Sequence, residues 1–153
     1  MKYYFAYGSN MNPERMKERG ADFKSIKRAV LKGYKLVFNK RSRRYGESAC
    51  ANIEPDENSV VEGVLYELKE PEVALKQLDF YEGYPTNYDR IKVVVETDEG
   101  EKIEAFTYVA QPEYIDNTLK PSKKYLAHFL KACELGLLSP HYCEKIKKLE
   151  ETL

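Results

Sequence analysis

Tryptophan is absent from this 153-residue chain, and histidine, glutamine and cysteine are scarce, with two, two and three copies. The cysteines Cys50, Cys133 and Cys143 are odd in number and form no C-x-x-C pair. That pattern indicates neither a disulfide framework nor a zinc site, and it predicts small, buried, apolar side chains. His128 and His141 have no partner at metal-ligand spacing, so no metal is expected. Charge of one sign is lacking too, since 25 Lys and Arg balance 25 Asp and Glu. The molecule as a whole has no bias toward nucleic acid, anionic membrane or acidic protein, and any charged ligand must be held locally. Long apolar runs are also missing. The opening run from Met1 to Tyr7 breaks at Gly8-Ser9-Asn10, too soon for a signal peptide. No stretch approaches the ~20 apolar residues of a membrane span. These absences predict a cytoplasmic protein without nucleic-acid or membrane partners.

What is present is enough apolar material, 42% of residues, for one packed core over 1–153, with no repeat, low-complexity tract or linker. Tyr3–Tyr7 reads as a first strand ending at a glycine turn. Asn12-Pro13 is an N-cap and N1 pair, and Met11 and Met16 stand where a hydrophobic staple would place them, so a short helix runs to about Arg19. Ser25–Val30, Gly33–Phe38, Ser48–Ile53, Val60–Leu68, Asn87–Thr97 and Lys102–Val109 alternate or are rich in β-formers between turn residues. About six or seven strands with few helices between them suit a curled or closed sheet. Pro71–Glu82 reads as a helix, and two more helices close the chain. One has Leu126, Phe129, Leu130 and Cys133 on a single face, and the other starts at Ser139-Pro140. The class is α+β.

Two places ask for more than a structural reading. On the helix Pro71–Glu82 the apolar face set by Leu75 and Leu78 continues to Glu82, so a carboxylate stands where a core residue is expected. It also lies in the last turn before Gly83, where the helix dipole disfavours an anion, with Asp79 on the same face. Burial, dipole and like-charge repulsion all predict a raised pKa, the property of a group that accepts and returns a proton. The second place is the strand-to-helix loop Tyr7-Gly8-Ser9-Asn10. There Gly8 permits close backbone approach or positive φ, and the N–H groups leading into the helix form a nest suited to a carboxylate.

With these residues in view, the sequence resembles the γ-glutamylcyclotransferase (AIG2-like) superfamily. Phe5-Ala6-Tyr7-Gly8-Ser9-Asn10 is similar to the family's amino-terminal signature, and Leu78-Asp79-Phe80-Tyr81-Glu82-Gly83 to the segment bearing its catalytic glutamate. Val61–Leu68 resembles the central strand between them, and Pro121-Ser122-Lys123-Lys124-Tyr125 the segment that supplies an active-site tyrosine. The resemblance implies a small mixed β-barrel flanked by helices, with two C-terminal helices. It further implies cyclisation of a γ-glutamyl amino acid to 5-oxoproline without metal or cofactor, with Glu82 as general acid/base. Tyr7, Gly8, Ser9, Asn10 and Tyr125 would bind the small-molecule substrate, and a homodimer is suggested. A γ-glutamylamine substrate, or a binding module without activity, stays open. Tyr84-Pro85-Thr86-Asn87-Tyr88 is placed to form a wall against the group attached to the glutamyl. The basic run Arg41-Ser42-Arg43-Arg44-Tyr45-Gly46 reads as a solvated loop that could meet an anionic substrate at the pocket mouth.

Overall fold

Helix boundaries follow local signals closely in the computed structural model, which describes residues 1–43 and 47–153. Helix α1 spans Pro13–Glu18; its N-cap Asn12 accepts from the Glu14 N–H, and Met11 and Met16 are fully buried on either side of the cap. Helix α2 spans Pro71–Glu82, begun by a proline at N1 and ended by Gly83 at φ 70°. Helix α3 (Lys123–Glu134) is capped by Ser122, and α4 (Pro140–Glu151) by Ser139.

Among the described residues the strands number five, fewer than the six or seven expected. They are β1 (Tyr3–Ala6), β2 (Phe23–Arg41), β3 (Ala49–Leu68), β4 (Tyr88–Thr97) and β5 (Lys102–Ala110). Two pairs of expected strands have fused. Gly33, at φ 86°, does not turn the chain but sits in a register shift within β2, opposite an excursion of β3 between Pro55 and Val60. Within that excursion Asp56 accepts from the Asn58 N–H and the Ser59 hydroxyl, the local bonds of a turn, while the flanking residues stay paired.

The sheet closes as a barrel in the order β1-β3-β2-β4-β5. Its pairs are antiparallel except for β1 with β5, which meet in parallel at Tyr4 and Phe106, so the barrel is mixed as expected. The core is aromatic: Phe5, Tyr66, Phe106 and Tyr108 are almost fully buried, with Tyr4 5.2 Å from Phe106 between ring centroids. Leu126, Phe129 and Ala132 lay the buried face of α3 on the barrel, Phe129 against Phe38 at 5.5 Å. Cys133 and Cys143 depart from the expectation: α3 and α4 bring their Cα atoms within 5.9 Å and a disulfide joins them, leaving Cys50 as the free thiol. The cause is tertiary, two helices joined by a short connection, which the spacing of the cysteines did not reveal.

Among the described residues, no helix is long and apolar enough to cross a membrane.

Candidate active site

The end of β1, the end of β2, the start of β3 and the last turn of α2 converge on one side of the barrel and leave a cleft. Its non-atomic space is about 670 Å³, open mouth included. Tyr7, Gly8, Ser9, Asn10, Glu82 and Tyr125, all named from the sequence, line it together.

Glu82 ends α2 half-buried, and its Oε1 accepts from Asn10 Nδ2 at 3.3 Å. The orientation of that amide follows from its other contacts. Arg19 can only donate and stands 3.1 Å from Asn10 Oδ1, so Nδ2 must face Glu82 and the Tyr4 hydroxyl, 3.0 Å away. The Tyr66 hydroxyl donates to the Asn10 carbonyl at 2.6 Å, fixing the backbone of the same residue. Asn10 is therefore a buried hub whose side chain holds the carboxyl of Glu82.

Burial raises the pKa of Glu82, against the opposing pull of Arg19, Lys40, Arg15 and Arg43. Of the three causes expected from the sequence, the repulsion by Asp79 is replaced by a different geometry. Asp79 turns toward β4 and β5, where it binds the Arg90 guanidinium and accepts from the Tyr108 hydroxyl at 2.7 Å. The pair ties the helix that carries Glu82 to two barrel strands. Removing the carboxylate would leave Arg90 and the Tyr108 hydroxyl unmatched, at a cost of ~1–3 kcal/mol for groups this partly shielded. Asp79→Ala should therefore lower the Tm by about 3–8 °C in calorimetry. Arg90→Met should not add fully to it; full additivity would show that the two side chains do not act as a pair.

Gly8 has φ −114°, outside the left-handed region, so positive φ is not what it supplies. A Cβ there would meet the Tyr125 hydroxyl at 3.0 Å and Ala51 Cβ at 3.4 Å, so the glycine serves close approach. The Tyr125 hydroxyl accepts from the Ala51 N–H at 2.9 Å, and its ring also packs 5.8 Å from Phe129. Tyr7 donates its hydroxyl to the Tyr108 carbonyl at 2.6 Å, leaving its ring as cleft wall.

Cations surround the carboxyl, and most were missed in the sequence. Arg15 comes from α1 and Arg19 from its C-cap, while Lys40 comes from the end of β2 and Arg43 from just beyond it. Their i, i+4 spacing on the helix that follows the loop was the available signal for the two arginines. Arg15 NH1 lies 3.1 Å from His128 Nε2, and Asn12 Nδ2 lies 3.1 Å from Nδ1 of the same ring. Burial, with Arg15 and Arg19 nearby, pushes the pKa of His128 down to about 4, so the ring is neutral at pH 7. Arg43 reaches the cleft, as considered for the basic run, and donates to the Tyr81 carbonyl at 2.9 Å, whereas Arg41 points to Asp116 at 3.8 Å. Arg44, Tyr45 and Gly46 lie outside the described residues. Cys50 also lines the cleft, its thiol pushed up by burial.

Known proteins share this architecture. YkqA of Bacillus subtilis (strain 168), whose γ-glutamylcyclotransferase designation is itself provisional, is 32% identical over 150 residues, 95% of this chain. The chain spans about half the length of that curated relative, 51%. The crystal structure of YkqA superposes with a TM-score of 0.79, over 99% of this chain and 54% of the other. A solved γ-glutamyl cyclotransferase matches at 28% identity and TM-score 0.81, and the human protein loc79017 at 30% and 0.81, each over 95% of this chain and 85% of its own. A family model described as gamma-glutamyl cyclotransferase, AIG2-like, matches residues 4–127, which hold the barrel from Tyr4 onward and the cleft residues named above. The chain belongs to the γ-glutamyl cyclotransferase, AIG2-like family.

Proposed function

We propose that the cleft converts a γ-glutamyl amino acid to 5-oxoproline and the free amino acid, with Glu82 moving the protons. The observation that carries this reading is a carboxyl of raised pKa, held by Asn10, at the foot of a cleft lined by cations and tyrosines. The substrate has an α-ammonium, an α-carboxylate and a γ-amide. Lactam formation requires the ammonium to lose a proton and fold onto the γ-carbonyl, an intramolecular attack that the cleft favours by restricting the chain. Glu82 accepts that proton. The amine nitrogen forms a bond to the γ-carbon, giving a tetrahedral intermediate; the second proton of that nitrogen is shed as the lactam forms and ends on the released amine, which leaves as an ammonium. Glu82 then returns a proton to the departing nitrogen as the former amide C–N bond breaks. No covalent enzyme intermediate, metal or cofactor enters this scheme.

The same reading assigns the α-carboxylate of the glutamyl group to the backbone around Gly8, Ser9 and Asn10, since the Asn10 side chain is already committed to Tyr4, Arg19 and Glu82. Tyr7 and Tyr125 wall the chain between the two ends. A carboxyl that must be ionised to accept a proton, and whose pKa burial has raised, predicts an acid limb in kcat/KM with its midpoint above the ordinary carboxylate value of 4.5. Rates on γ-glutamylalanine between pH 4 and 8, read as 5-oxoproline by mass spectrometry, test both claims. Absence of 5-oxoproline from a panel of γ-glutamyl amino acids and γ-glutamylamines would overturn the catalytic reading and favour a binding module.

A further inference from the structure

Lys40 occupies a position that the reading above leaves unused. It is 3% exposed, yet among the described residues it forms no ion pair. Its Nζ donates to Asn87 Oδ1 at 2.9 Å and lies 5.1 Å and 5.5 Å from the ring centroids of Tyr88 and Tyr114. One neutral acceptor and two aromatic faces are weak compensation for a buried ammonium with three donors. Glu82 is the carboxylate whose field reaches it, but from beyond ion-pair distance.

Its placement is specific. Between Phe38 and Lys40 the register of β2 against β3 shifts by one residue, so two residues of β2 oppose one of β3. Such a bulge redirects side chains, and here the consecutive residues Asn39 and Lys40 are both buried, which strict alternation would not produce on a half-exposed strand. The partners that hold the ammonium, Asn87 and Tyr88, belong to the segment after Glu82. Asn87 is seated beneath Gly83, where an added Cβ would meet its Nδ2 at 2.9 Å. By contrast, the Gly8 loop is held by Tyr125 and Ala51. The ammonium is thus held by Asn87 and the Tyr88 ring rather than by the loop assigned to the glutamyl α-carboxylate, although Tyr88 also donates to the Ala51 carbonyl beside that loop.

Resting on the cyclisation reading, we propose that Lys40 binds the carboxylate of the departing amino acid, so that the cleft selects γ-glutamyl amino acids over γ-glutamylamines. The charge balance agrees. A γ-glutamyl group is internally neutral, with one ammonium and one carboxylate, while among the described residues Arg15, Arg19, Lys40 and Arg43 line the cleft with one carboxyl, that of Glu82. A second carboxylate on the departing part offsets that excess, and an alkyl amine does not. Lys40 supplies the two remaining N–H donors from a largely buried position, where a charge-assisted bond is stronger than in bulk water.

The test uses γ-glutamylalanine and γ-glutamylethylamide, which differ only by the carboxylate on the departing part. The intact protein should prefer γ-glutamylalanine by about 10²-fold in kcat/KM. Lys40→Met should bring that preference to within about threefold of unity, chiefly through KM, by losing far more on the amino acid than on the amide. Lys40→Gln keeps a donor for Asn87 and should show the same collapse if Lys40→Met folds poorly. No preference in the intact protein, or equal losses on both compounds in Lys40→Gln, would overturn the assignment; equal losses would make Lys40 a counter-ion of Glu82 alone. Calorimetric binding to Glu82→Gln, with and without Lys40→Gln, separates this inference from the one beneath it. If no 5-oxoproline forms, the cyclisation reading falls, while a binding preference that vanishes with Lys40→Gln still upholds the carboxylate site. Equal binding of the two compounds to Glu82→Gln overturns that site.

Discussion

Glu82→Gln is expected to lower 5-oxoproline formation by about 10³-fold or more while leaving the fold intact. The substitution keeps the shape of the side chain and an oxygen that can accept from Asn10 Nδ2, so the hub formed by Tyr4, Asn10 and Arg19 is preserved. What it removes, in the proposed mechanism, is the capacity to take a proton from the substrate ammonium and return it to the departing nitrogen. A group that only fixed geometry would lose little. Retention of more than a tenth of the turnover would therefore sink the mechanism.

The same variant carries a prediction of stability whose sign comes from the raised pKa. Between the ordinary value of 4.5 and the higher folded value, the native state binds more protons than the unfolded chain. The slope of stability against pH is then negative. The contribution is fully present below pH 4.5 and is lost as pH rises through the folded pKa, where the buried carboxyl must ionise. Glutamine resembles the protonated form at every pH. Glu82→Gln should thus melt above the parent protein at pH 8 and together with it at pH 4. A lower Tm at pH 8 would mean that the surrounding cations favour the anion over the buried acid.

Legibility in the sequence divided along physical lines. Helix α2 matched its expected range because Pro71 and Gly83 are local devices, a fixed φ at the start and a left-handed residue at the end. Glu82 was visible for a related reason: it interrupts an apolar face whose period is itself local. The strand count failed at Gly33 and at Asp56–Ser59, where turn chemistry is real but the partner strand carries the chain through without reversing it. Pairing across β2 and β3 decides that outcome, and no window of sequence contains it. Lys40 was invisible because one lysine near a strand end reads as solvated, and only the bulge and the packing of Asn87 and Tyr88 bury it. The bond between Cys133 and Cys143 was hidden likewise, since it depends on how α3 and α4 pack together.

Gly63 sets the second large effect, on stability. It lies on β3 opposite Ala29 of β2, beside the residue that pairs with the end of β1. A Cβ at this position would stand 2.5 Å from the Ala6 carbonyl oxygen and 2.7 Å from two ring atoms of Phe5. The first of these neighbours is backbone and the second is a fully buried ring, so neither can yield without moving β1. Overpacking of this kind costs ~1–3 kcal/mol or more, and the backbone contact places Gly63→Ala at the upper end. A fall in Tm of about 6–12 °C should follow for a chain of this size. Gly33 supplies the control: its φ of 86° strains any other residue, but nothing lies within 4 Å of an added Cβ. Gly33→Ala should therefore cost only the conformational term, about 1 kcal/mol. The consequence reaches the cleft, because β1 runs directly into Tyr7 and Gly8, and Asn10 holds Glu82 only while that loop keeps its place. Gly63→Ala should accordingly lower kcat/KM at temperatures well below its own melting point, with Gly33→Ala leaving the rate near that of the parent. A Gly63→Ala protein that melts within 2 °C of the parent would show that β1 can shift freely, contrary to the close approach seen at Ala6 and Phe5.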